Sequence, residues 1–143
     1  MDAQTKEVLE ECSSGCRMAL ESFAQMQGHV TDQGLGSLID TYEKKHRKYE
    51  QEASRLLGQA GYPGKEPGMM ASVFSKAGAE MKLMMREDSG QIAKLILDGC
   101  TMGIENLGAC INKCPEASGQ SLALAQDIIK TEENLMREVQ KYL

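Results

Sequence analysis

Leu35, Leu38, Ile39, Tyr42, His46, Tyr49, Ala53, Leu56, Leu57 and Ala60 recur at three- and four-residue steps, which draws one apolar stripe down a helix. A stripe of this kind is stable only when buried against others like it, and the chain supplies three more. Val8, Leu9, Cys12, Cys16, Ala19, Phe23, Met26 and Val30 share a face over residues 3–28. Ile92, Leu95, Ile96, Gly99, Gly103, Asn106, Leu107, Cys110 and Cys114 share one over 89–113. Leu122, Ala125, Ile128, Ile129, Glu132, Leu135, Val139 and Tyr142 share one over 120–143. The pattern predicts an all-α protein, one four-helix bundle domain over residues 1–143. With four Tyr, two Phe and no Trp, its core has to be built from Leu, Ile, Ala, Met and Cys.

The connections order the helices. Residues 29–34, with Asp32 and Gly34, make a short turn, so the first two helices form an antiparallel hairpin. The run 62–68, with Pro63, Gly64, Pro67 and Gly68, is the clearest loop. Met70, Val73, Phe74, Ala77, Met81, Met84 and Met85 then predict a short helix over 69–86. Cys114-Pro115 stops the third long helix, and Ser118 caps the fourth. A crossover helix of about 18 residues spans roughly 27 Å, enough to travel the length of the bundle. The second and third long helices then run parallel, in up-down-down-up order. A short echo between Gly15-Cys16-Arg17-Met18-Ala19-Leu20-Glu21 and Gly99-Cys100-Thr101-Met102-Gly103-Ile104-Glu105 fits two related hairpins.

Several classes of function are disfavoured. A net charge of −5 with interspersed signs argues against nucleic-acid binding. No apolar run approaches the roughly 18 residues of a membrane span. The opening residues lack the basic and apolar regions of a signal peptide. Five cysteines are an odd count, so free thiols in a reducing cytoplasm are expected over a disulfide framework.

Counting from the helix ends places Cys16, His46, Cys100 and Glu132 within a turn or two of mid-height. His46 and Glu132 are the polar residues best centred on their stripes; Cys16 also faces in, and Cys100 lies nearer its stripe's edge. Gly99 and Gly103 leave room there, to be filled by Tyr42 or Tyr49 or left as a small cavity. A buried carboxylate costs several kcal/mol unless paired, so Glu132 is expected to meet His46. Two readings follow. One is a buried histidine hydrogen-bonded to Glu132 or a tyrosine, holding the second and fourth long helices in register. The other is a single zinc or iron ion held by His46, Glu132 and Cys16, with Cys100 and Glu43 as further candidates. The pairs Cys12/Cys16 and Cys110/Cys114 could hold a soft metal from one helix face, although free cysteines are usually small buried hydrophobes.

Glu43-Lys44-Lys45-His46 has the Glu-x-x-His form of ferritin-like di-iron carboxylate proteins. Together with the helix lengths, the long crossover and the Cys-x-x-Gly start at Cys12 to Gly15, the chain resembles a small group of bacterial ferritin-like four-helix-bundle domains of unknown function. The resemblance covers nearly the whole chain and implies a ferritin-like fold but no shared enzymatic activity. The chain departs from the di-iron pattern of two glutamates plus two Glu-x-x-His pairs. The last helix offers Glu132-x-x-Leu135 and Glu133-x-x-Met136, Glu21 and Glu105 plot outward, and Glu43 sits at the stripe's boundary. A ferroxidase is therefore not expected. A non-enzymatic, homo-oligomeric (dimeric) interaction protein is expected first, and a metal-binding or redox protein second.

Overall fold

Each long helix starts where a short polar side chain takes up a free backbone N–H. In the computed structural model, which describes residues 1–62 and 88–143, Asp2 Oδ1 accepts from the Thr5 amide at 2.8 Å and Asp32 Oδ1 from the Leu35 amide at 2.9 Å. Asp88 Oδ1 accepts from the Gly90 amide at 2.9 Å and Ser118 Oγ from the Ser121 amide at 3.2 Å. These caps open α1 (Ala3–Gln27), α2 (Gln33–Gln59), α3 (Ser89–Lys113) and α4 (Gly119–Val139), the last running into a 3-10 turn over Gln140–Tyr142. The described residues are thus all-helical, with four α-helices and no strand. None of these helices is long and apolar enough to cross a membrane. The helix expected over 69–86, with its methionine stripe, lies outside the described residues.

α2 ends by a mechanism its glycines make possible. Gly61 has φ +84°, the left-handed region, and its N–H donates to Gly58 O at 3.0 Å while Tyr62 N–H donates to Leu57 O at 2.9 Å. That paired closure satisfies carbonyls the helix would otherwise leave free.

The four helices share two apolar clusters. The first joins Val8, Leu9, Cys12 and Cys16 of α1 to Ala53 and Leu57 of α2, Leu107 and Cys110 of α3, and Leu124, Ala125 and Ile128 of α4. The second joins Phe23 and Met26 to Leu35, Ile39 and Tyr42, then to Ile92, Ala93, Ile96 and Cys100, and to Leu135 and Val139. Each helix threads both clusters, so its apolar stripe is spent along its whole length.

The buried arc of α3 differs from the expected one. Ala93 and Cys100 are buried, whereas Gly99 and Asn106 are exposed. The helix is rotated toward its small side chains, which brings Cys100 from the edge of the stripe into the core. A Cβ on Gly99 would meet nothing within 4 Å, so this glycine makes no room for a neighbour. Neither tyrosine is directed into such a gap, because each is committed to a partner on α4.

Candidate functional site

The seam between the two clusters is polar. On α2 the clusters break between Tyr42 and Ala53, and on α4 between Ile128 and Leu135; His46, Thr131 and Glu132 are the buried polar residues of that interval. Two side-chain contacts cross it, and a third, to the exposed Glu138, lies just beyond it alongside the second cluster. Tyr42 Oη donates to Glu138, His46 Nε2 meets Glu132 Oε1, and the hydroxyls of Tyr49 and Thr131 lie 2.8 Å apart. Tyr42 and Tyr49 stand one heptad apart on α2, as Glu138 and Thr131 do on α4. The three rungs therefore belong to a single antiparallel register, and a slip of one helical turn would break all of them at once.

His46 is 1% exposed and Glu132 7%, so this pair is inside the bundle. The other ring nitrogen, Nδ1, lies 2.6 Å from the Tyr42 carbonyl oxygen. A carbonyl only accepts, so Nδ1 carries a proton and donates it. Nε2, the remaining ring nitrogen, is left to face the Glu132 carboxyl group. Phe23 covers the imidazole edge-on, with centroids 5.2 Å apart.

Cys100 borders the same carboxyl group, and Cys16 feels its charge. Burial raises the Cys100 thiol pKa most, and the charge of Glu132 and a hydrogen bond to it raise it further. The Cys16 thiol is raised first by burial, then by Cys12, Glu132 and Glu50. Both thiols are therefore neutral at physiological pH and poor nucleophiles. Among the described residues, no buried side-chain nitrogen or oxygen lacks a hydrogen-bond partner.

Of the five candidate ligands, His46 and Glu132 meet at this seam, Cys16 and Cys100 flank it from the two clusters, and Glu43 stands apart. Glu43 is partly exposed and bonds Arg47, one turn along α2, at 2.7 Å. The ligand atoms of His46, Glu132, Cys16 and Cys100 do not close on a common point: the described group of three or more lying within 4.8 Å of one another is Glu7, Cys110 and Cys114, at one end of the bundle. A di-iron centre does not fit either, since Glu21 and Glu105 are exposed and Leu135 stands where a second motif would need histidine. A groove of about 580 Å³ between α2 and α4 is lined by Lys48, Tyr49, Glu52, Arg55, Leu124 and Asp127, and His46 and Glu132 take no part in it.

Sequence reasoning missed the Tyr49–Thr131 and Tyr42–Glu138 rungs, and it missed Glu7. The heptad spacing shared by the two helices was the available signal for the rungs. It also missed the contact between α1 and α2 in which Glu50 accepts from Arg17 Nε at 3.0 Å and from Ser13 Oγ at 3.3 Å. Compared with protein-family models, curated proteins and solved structures, the chain finds no match in any of the three.

Proposed function

We propose that this chain is a bacterial, cytoplasmic, ferritin-like bundle of up-down-down-up order that acts by protein association as a homo-oligomer, without catalysis. The topology is supported by the clusters. The start of α1, the end of α2, the end of α3 and the start of α4 contribute to one of them, and the opposite ends contribute to the other. Five free cysteines, all buried, suit a reducing compartment.

The observation that carries the reading is the enclosure of Glu132. His46 takes one side of its carboxyl group and Cys100 borders it as well, so the polar centre is closed on itself. Removing one member of such a pair strands a buried polar group, which makes the pair a device for register. A solution mass measurement tests the association: a folded dimer or higher oligomer is expected, and a strict monomer at micromolar concentration would end that part of the proposal.

One observation favours the second reading, a metal or redox site at mid-height. A histidine whose Nδ1–H is fixed by a backbone carbonyl presents Nε2 as a metal-ligating histidine does. Metal analysis of reduced protein separates the two. Stoichiometric metal that disappears in His46→Ala or Glu132→Gln would replace the register reading with the metal reading.

A further inference from the structure

α1 begins where α3 ends, and the junction is stitched. Gln4 Oε1 accepts from the Glu116 amide at 2.7 Å, and Thr5 Oγ1 accepts from the Ser118 amide at 2.8 Å. These bonds hold the first turn of α1 against the turn between α3 and α4. Glu7 follows on α1 and is exposed; Cys110 and Cys114 sit one helical turn apart on α3 and its C-cap, both buried. A carboxylate oxygen of Glu7 and the two sulfur atoms all lie within 4.8 Å of one another. The Cys114 turn is itself fixed, with its N–H donating to Ile111 O and its carbonyl accepting from the Ala117 amide, each at 3.1 Å.

Three donors so placed match one ion in size and type. Zinc takes thiolate sulfur at about 2.3 Å and carboxylate oxygen at about 2.0–2.2 Å in a tetrahedron. Donors around one such ion stand roughly 3.5–4 Å apart, within the spread this trio occupies. We propose that Glu7, Cys110 and Cys114 form a Zn²⁺ site at the end of the bundle, with the fourth position left to water on the exposed Glu7 side. On binding, Zn²⁺ forms bonds to both sulfurs and to the carboxylate oxygen. The two S–H bonds break, and their protons leave to solvent.

The surroundings fit this role. Without a cation the thiols stay protonated: burial, with Cys114 adding to it, pushes Cys110 up to about 12, and burial with Glu7 raises Cys114. A dication at the centre of the trio inverts that balance. Lys113, whose charge acts on Cys114 in the opposite sense, offsets part of the negative charge of two thiolates and a carboxylate. The site is separate from His46 and Glu132, and it stands or falls independently of their role.

Titration of the reduced, metal-stripped full chain with Co²⁺ and then Zn²⁺ tests it. Stoichiometric Co²⁺ is expected to produce a thiolate-to-cobalt charge-transfer band that Zn²⁺ abolishes, with release of the two thiol protons per ion. Cys114→Ser removes the band. Glu7→Gln, an exposed change that spares the core, weakens Zn²⁺ binding by more than about 10-fold. His46→Ala and Cys100→Ser leave both results unchanged. Absence of the band in folded wild-type protein overturns the site. So does a band that survives Cys110→Ser with Cys114→Ser, or an affinity that Glu7→Gln does not alter.

Discussion

Phe23 stands edge-on to His46, with ring planes inclined at 71°. The imidazole is thereby enclosed from three helices: the Phe23 ring from α1, the Tyr42 carbonyl from its own helix, and Glu132 from α4. Phe23 keeps water from a polar pair that would otherwise be weakened by it. Phe23→Ala is expected to cost about 3–5 kcal/mol in urea unfolding. A loss below about 1 kcal/mol would mean that the ring is not a packed lid on the pair.

Truncating one member of the buried pair should be worse than replacing both. Glu132→Ala leaves His46 facing an apolar void, and a loss of about 3–5 kcal/mol is expected. The double change His46→Leu with Glu132→Leu should recover most of that loss, because a well-packed apolar pair leaves no buried polar group without a partner. The check is a double-mutant cycle of His46→Leu, Glu132→Leu and the two together, by denaturant unfolding. Additive losses would refute the pairing.

The Tyr49–Thr131 rung can be tested with smaller changes. Tyr49→Phe and Thr131→Val each remove one hydroxyl from a contact of 2.8 Å, and each should cost about 1 kcal/mol. The two losses should not fully add, since Tyr49→Phe already breaks the shared bond and leaves the Thr131 hydroxyl only its bond to the Asp127 carbonyl at 2.9 Å. Helix content by circular dichroism should stay constant throughout.

Alkaline pH should destabilise the fold. The thiol of Cys12 is raised from 9.0 to about 12, chiefly by burial, and those of Cys16 and Cys100 shift the same way. Below pH 9 both folded and unfolded chains hold these protons, and the stabilising contribution is complete. Above that point the unfolded chain releases them while the folded chain keeps them, so stability declines as pH rises toward about 12. Denaturant midpoints measured across this window should fall, and Cys16→Ala should make the fall shallower. A level profile would contradict the burial of the thiols.

Gly61 carries a backbone demand rather than a packing one. Its φ is +84°, and a Cβ there would meet nothing within 4 Å. Gly61→Ala should therefore cost about 1–2 kcal/mol from the left-handed conformation alone. Gly61→Asn should cost less, because asparagine visits that region more readily. Thermal unfolding of the two variants gives the comparison.

The stripes were legible because 3.6-residue periodicity is written along each helix separately: the predicted span 89–113 coincides with α3, and the expected start of α4 is one residue from the observed one. The meeting of His46 with Glu132 was legible for a different reason. A buried carboxylate has few affordable neighbours, and depth counting left one. The rotation of α3 was not legible, since Cys100 and Gly99 differ by a single step and only packing on α1 and α4 decides which of them turns inward. Glu43 followed the outward choice for the same reason, with Arg47 one turn away to hold it. Glu7 could not be foreseen beside Cys110 and Cys114, because their proximity arises from the closure of the bundle's end and leaves no periodic trace.

The polar belt between the two clusters has a consequence for how such a molecule can change. The clusters sit at opposite poles of rods about 32–40 Å long, with His46, Thr131 and Glu132 between them. Substitutions at one pole and at the other share no partner, so their effects should sum. One extremity can then drift, acquire a ligand or lose one, while the waist keeps the helices aligned and the far extremity never registers the difference.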